Sequence, residues 1–143
     1  MTKVLVTGSA GRAGTYIVED LLGSDYEVVG VDTNPPRGTN AIRSQPYTFR
    51  LVDVTDFGQV LSVMKGCDAV IHMAAIPNPY NVPEHEMFRI NMLANWNVLE
   101  AAEILGIEKI VMASSINAVG AGFSKGITPR PYFPIDEDHP TFA

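Results

Sequence analysis

Three glycines, at positions 8, 11 and 14 of Thr7-Gly8-Ser9-Ala10-Gly11-Arg12-Ala13-Gly14, constrain this chain more than any other feature. They follow the β-rich run Val4-Leu5-Val6-Thr7. They precede a stretch whose apolar residues, Ala13, Ile17 and Leu21 with Tyr16, Val18 and Leu22, keep helical spacing. A strand, a tight turn and a helix in direct succession need residues without Cβ where the chain reverses and where the helix leaves the strand. The first glycine allows the turn, the second opens the backbone to close approach, and the third lets helix and strand pack together. Such a helix also begins with unpaired N–H groups and the positive end of its dipole.

The same alternation continues. Val28-Val29-Gly30-Val31 reads as a second strand, closed by Asp32 and the breakers Asn34-Pro35-Pro36. Tyr47 to Val52 reads as a third strand, Phe57 to Met64 as a helix ended by Gly66, and Ala69 to Met73 as a fourth strand. A long helix is expected from about Glu84 to Leu105, with Phe88, Met92, Asn95/Trp96, Leu99 and Ala102 at steps of three and four and Gly106 as its stop. Lys109 to Ala113 is a fifth strand, ending at Ser114-Ser115. Strands buried on both faces and alternating with helices predict an α/β fold, a doubly wound parallel sheet of about five strands in the order 3-2-1-4-5. Right-handed crossovers then bring Gly8, Asp32, Asp53, Ala74 and Ser114 to one rim of the sheet. Residues 1–120 form the layered domain, and 121–143 an irregular loop rich in Gly, Pro and charge.

Asp32 lies 18 residues after Gly14, at the end of the second strand. A carboxylate there accepts hydrogen bonds from an adenosine ribose, while the glycine turn takes the diphosphate of a dinucleotide. That is the Rossmann arrangement. The negative charge repels a 2′-phosphate, so NAD is expected over NADP, with Arg12 and Arg37 as the two cations able to pair with that phosphate instead. The plain alternative for Asp32 is a cap on the turn at Asn34-Pro35.

Taken together these motifs resemble the extended short-chain dehydrogenase/reductases, the NAD-dependent epimerase/dehydratase family. The Thr-Gly-x-x-Gly-x-x-Gly spacing is that family's form of the turn. Asp53-Val54-Thr55-Asp56 resembles its adenine-side element, and His72-Met73-Ala74-Ala75 its His-x-Ala-Ala at the end of the fourth strand. Asn91 and Asn97 fall where the family has helical asparagines. Ala113-Ser114-Ser115 with Val119-Gly120 resembles its Ser-Ser…Tyr-Gly segment, although Val119 replaces the usual tyrosine. Pro134-Ile135-Asp136-Glu137-Asp138-His139-Pro140 resembles the loop before its catalytic helix. The resemblance implies that NAD is bound by Gly8, Ala10, Gly11, Arg12, Ala13 and Gly14 in the turn. Asp32, Asp53, Val54, Met73, Ala74, Ala75, Asn91 and Ser114 would complete that site. It also implies a catalytic hydroxyl at Ser115 and a sugar-like or nucleotide-sugar substrate.

The family's chemistry needs a tyrosine and a lysine four residues apart. The residues four beyond Tyr16, Tyr26, Tyr47, Tyr80 and Tyr132 are Asp20, Gly30, Leu51, Glu84 and Asp136, so no such pair is present. The chain reads as the cofactor-binding half of such an enzyme, inactive alone, ending a few residues short of that tyrosine. A non-catalytic NAD-sensing module and a self-associating structural fragment remain as alternatives. One face of the long helix and the fifth strand would expose apolar surface, which favours a homo-oligomer.

Composition removes other classes. Among 143 residues, 16 Asp and Glu against 10 Lys and Arg give a net charge of −6, the wrong sign for a nucleic-acid backbone binder. Cys67 is the one cysteine, so neither an intrachain disulfide nor a Cys-x-x-Cys zinc pair can form; a small buried role is expected for it. No window approaches 18 apolar residues, so no membrane helix is expected, and the location is taken as cytoplasmic. His72 is expected as a hydrogen-bonded residue of the strand, and Glu84-His85-Glu86 as a solvated helix start rather than a metal site.

Overall fold

A computed structural model of the chain describes residues 1–36, 46–78, 80, 82–115, 118, 132 and 136–139. It contains β1 (Lys3–Thr7), α1 (Arg12–Gly23), β2 (Glu27–Asp32), β3 (Tyr47–Leu51), α2 (Phe57–Met64), β4 (Ala69–His72), α3 (Glu84–Leu105) and β5 (Lys109–Met112). The five strands pair in parallel in the order β3-β2-β1-β4-β5, as the alternation predicts. The expected element bounds differ from the observed ones by a residue or so, and those of α2 and α3 coincide with them.

The sheet is covered on both faces. Leu5, Val29, Val31 and Val70 point to one side, where α2 and α3 supply Val60, Met64, Ala94 and Val98. Val4, Val6 and Val28 point to the other, against Val18 and Leu22 of α1. Alternate residues of β1 therefore serve opposite layers, which is why its sequence carries no polar alternation. The outer strands are less covered: Leu51 on β3 and Val111 on β5 are exposed.

Helix α3 turns a different face inward from the stripe its large side chains mark. Ala94, Asn97, Val98, Ala101 and Ala102 are buried, while Phe88 (68% exposed), Met92, Trp96 (65%) and Leu99 face outward. Small residues let the helix axis come close to α2, so the bulky stripe is left for the solvent side. The expected exposure of one apolar face is thus met, by residues whose helical spacing suits either a core or an interface. Gly106 ends α3 at φ +69°, its N–H reaching the carbonyls of Ala102 and Glu103.

The chain divides into two compact units, Met1–Met112 and Ala113–Ala143. Within the second, the Ala118 N–H donates to the Ser115 carbonyl at 2.9 Å. The Tyr132 hydroxyl donates to Asp136 Oδ1 at 2.7 Å, and that bond pushes the phenol pKa up to about 12. Asp136, Glu137 and Asp138 are exposed, as expected of a solvated acidic loop. Arg37, Val119, Gly120 and most of the segment 121–143 lie outside the described residues.

Candidate cofactor site

Gly8 leaves β1 at φ +66°, and a Cβ there would stand 2.8–2.9 Å from the main chain of Met73 and Ala74. The turn therefore rests directly on the end of β4. A Cβ on Gly14 would run into the Gly8 carbonyl, and the Gly11 N–H donates to that same carbonyl at 3.0 Å. The turn is folded onto itself and onto the neighbouring strand, with no room for side chains at either contact.

Two buried hydroxyls flank the turn. Thr7 Oγ1 lies 2.6 Å from His72 Nδ1 and accepts the N–H groups of Met73 and Ala74, each at 3.1 Å. His72 is thus the hydrogen-bonded strand residue that the sequence predicts. On the opposite side, Ser9 faces Tyr47 across the gap left by Gly30. A Cβ on Gly30 would collide with the Tyr47 hydroxyl and lie 2.8 Å from Ser9 Oγ. Burial pushes the Tyr47 phenol pKa up, with the Ser9 hydroxyl opposing it.

The start of α1 is chemically open. Gly11 offers no side-chain cap and the first turn carries no acid. By contrast Asp56 caps α2, accepting the Gln59 N–H, and α3 opens with Glu84 and Glu86. The orphan N–H groups of α1 and its dipole are left for an external anion. Arg12 and Ala13, both exposed, form that first turn.

Asp32 faces the turn from the end of β2. Its Oδ2 accepts the Ala10 N–H at 3.1 Å and its Oδ1 the Asn34 N–H at 3.0 Å. The local cap expected as the plain alternative is therefore present, on a carboxylate that also lines the rim. Each oxygen keeps a second lone pair for an outside hydroxyl.

The far wall is held by side chains of the loops and of α3. Asp53 Oδ1 accepts from the Thr55 N–H and hydroxyl at 2.9 and 2.7 Å, closing the loop after β3. The buried Asn97 donates to the Val54 carbonyl at 3.0 Å. Asn91 donates to the Ile76 carbonyl at 3.0 Å and accepts the Ile76 N–H at 2.8 Å, so both ends of its amide are engaged in holding the loop after β4.

Between these walls lies an open cleft of about 720 Å³, within the range of cofactor sites. The turn contributes Gly8, Ala10 and Gly11 to it, β2 contributes Asp32, and the loop after β3 contributes Asp53 and Val54. Met73, Ala74 and Ala75 line it from the end of β4. Arg12, Ala13, Gly14 and Asn91 do not line it, while Ser114 and Ser115 belong to the second unit. The sequence reading missed Thr33, Asn34 and Pro35, Val52, Thr55, Ile76, and the pair Arg89 and Ile90 of α3. Arg89 is held by Glu86 at 3.0 Å. The only signal for it was its place two residues before Asn91. Among the described residues no group of His, Cys, Asp and Glu is arranged to hold a metal, and Cys67 is buried with its thiol pKa pushed up by burial. No described helix is long and apolar enough to cross a membrane.

The arrangement suits a dinucleotide. Side-chain-free backbone and an uncapped helix start await a diphosphate, a carboxylate with spare lone pairs awaits a diol, and Val52, Val54 and Ile90 offer apolar walls to a flat base. The chain is 36% identical over 135 residues to an NAD-dependent glucose-6-phosphate dehydrogenase of Haloferax volcanii, covering 94% of this chain and 51% of that protein. It superposes on a UDP-glucose 4-epimerase from Bifidobacterium longum, in complex with NAD+ and UDP, with a TM-score of 0.82 and 27% identity over 98% of this chain and 42% of the other. It also matches a mutant uronate dehydrogenase from Agrobacterium tumefaciens complexed with NAD, at a TM-score of 0.70 and 28% identity over 83% of this chain and 42% of the other. The chain spans about half the length of the curated relatives it matches. Residues 4–140 match the profile of one family, and on that match the chain belongs to the NAD dependent epimerase/dehydratase family.

Proposed function

We propose that this chain is the NAD-holding part of an oxidoreductase that acts on a sugar or nucleotide-sugar. The observation that carries the proposal is one cleft bringing together the uncapped start of α1, the self-packed glycine turn and the Asp32 carboxylate. The N–H groups around Gly11, with Arg12 and Ala13, bind the diphosphate. Asp32 takes the adenosine ribose hydroxyls and disfavours a 2′-phosphate by charge. Val54 flanks the adenine beside Asp53, and Met73, Ala74 and Ala75 form the floor. When bound, NAD supplies a hydride acceptor. Ser115, with Ser114 its neighbour in the chain, would hold the substrate oxygen; residues 1–120 serve the cofactor and 121–143 are the loop that leads to the family's catalytic helix. Lacking a Tyr-x-x-x-Lys pair, the isolated chain binds cofactor without turning substrate over.

The exposed stripe Phe88, Met92, Trp96 and Leu99 supports association into a homo-oligomer.

Thermal melting with NAD tests the reading. At 100 times Kd, binding adds roughly 2.7 kcal/mol. At an unfolding entropy of about 0.3 kcal/mol/K for a chain this long, the midpoint rises by roughly 9 °C. NADP should give a clearly smaller rise at equal concentration. No shift with either nucleotide would remove the proposal.

A further inference from the structure

His72 is buried at the end of β4, away from the cleft lining, and none of the roles described so far uses its titratable ring. Its Nδ1 lies 2.6 Å from Thr7 Oγ1, and that oxygen also accepts two N–H groups, from Met73 and Ala74. A hydroxyl oxygen has two lone pairs and one hydrogen. The two N–H donors fill the lone pairs, so the hydrogen points at Nδ1, which is then bare. A neutral imidazole with a bare Nδ1 carries its proton on Nε2. The Ala74 N–H belongs to the Met73–Ala74 peptide on which Gly8 rests, while the Met73 N–H belongs to the preceding peptide and is shared with the Thr7 carbonyl at 3.3 Å.

We propose that His72 is a positioning residue for the phosphate turn: as the neutral, Nε2-protonated ring it draws the Thr7 hydrogen to Nδ1 and leaves the lone pairs of that oxygen to the Met73 and Ala74 N–H groups, the second of which belongs to the peptide beneath Gly8. Protonation of Nδ1 sets two donors face to face. Thr7 must then share its lone pairs among three donors, and the hold on the Ala74 N–H, and with it the seat of the turn on β4, is weakened. The surroundings favour the neutral ring. Burial lowers its pKa from the ordinary histidine value, with the Asn95 amide of α3 opposing. Its register partners, Thr7 on β1 and Met112 on β5, are uncharged, and among the described residues no charged group acts on the ring.

This inference rests on the cleft being an NAD site, but its first test does not. A proton–nitrogen long-range correlation spectrum of the labelled chain without cofactor reads the tautomer. The expected result is His72 with a proton on Nε2 alone; an Nδ1–H tautomer, or a doubly protonated ring at neutral pH, overturns the proposal. The second test is NADH titration across pH. His72→Asn keeps an acceptor near the Nδ1 position and should bind within about threefold of the parent, whereas His72→Leu should lose roughly tenfold. Parental affinity should fall as pH drops through the ring's depressed pKa, and the Asn variant should not follow it. Equal losses in both variants, or an Asn variant that tracks the parent with pH, refute the role. Absence of NADH binding by the parent itself would refute the cofactor reading, leaving the tautomer to decide for His72.

Discussion

Replacing Gly8 with alanine (Gly8→Ala) should unsettle the whole fold although the position lies at the rim. The backbone there has φ +66°, where an L side chain costs about 1–2 kcal/mol. The new Cβ would also stand 2.8–2.9 Å from the main chain of Met73 and Ala74. These are backbone atoms fixed by Thr7 and by the β1–β4 ladder, so relief needs a shift of strand or turn, worth about 1–3 kcal/mol. The two effects together come to roughly 2–5 kcal/mol, a large share of the ~7–20 kcal/mol a 143-residue domain commonly has. At about 0.3 kcal/mol/K this lowers the melting midpoint by roughly 7–17 °C. Gly23→Ala is the matched control. It lies at the end of α1 with ordinary φ and nothing within 4 Å of a new Cβ. There alanine should leave the midpoint unchanged or raise it by about 2–3 °C through helix propensity. Circular dichroism melts of both variants decide the matter. If Gly8→Ala melts within about 2 °C of the parent, the turn does not rest on β4 as described and the site geometry falls with it.

Other outcomes follow from the same contacts. Asp32→Asn keeps one acceptor oxygen but loses the charge and the second acceptor; NADH affinity by calorimetry should fall roughly 10- to 100-fold, with less discrimination against NADPH. Asn97→Leu strands the buried Val54 carbonyl at a cost of about 1–3 kcal/mol, and a melt lowered by less than about 2 °C would refute that dependence. The Asp56 carboxyl pKa is lowered, first by the Gln59 backbone N–H and then by the Gln59 side-chain amide. Its contribution is present above the ordinary carboxylate pKa and lost as pH falls through the depressed one. The melting difference between the parent and Asp56→Asn should therefore shrink from neutral pH to about pH 2, and a pH-independent difference would exclude the cap's charge as its cause. Trp96 is the sole tryptophan and mostly exposed, so its emission should shift to the blue as concentration rises and the chain associates, and Trp96→Glu should keep the chain monomeric in sedimentation.

Much of this architecture was legible beforehand because it depends on local spacing. The order of strands follows from alternation and crossover handedness, and the glycine turn and Asp32 are fixed by their distance along one strand–helix–strand unit. What could not be read was which way α3 rolls. Its heavy residues form the clearest stripe, yet Ala94, Val98, Ala101 and Ala102 are the ones buried, because close approach to α2 favours small side chains over large ones. The cleft residues Arg89 and Ile90 were missed for the same reason, since their facing depends on that roll. Asn91 was placed at the right loop, but its amide is engaged by Ile76, a partner 15 residues away that no periodicity announces.

Gly30 and Tyr47 sit on adjacent strands, and the absent side chain of one is the space occupied by the other. Neither residue is free to drift by itself. A methyl group at 30 evicts the phenol, and a shorter residue at 47 leaves a hole beside Ser9, so either substitution alone is harmful while a matched exchange restores the volume. Among homologues these two columns should vary as a couple, and the edge strand thereby holds a vote on the shape of a turn two strands away.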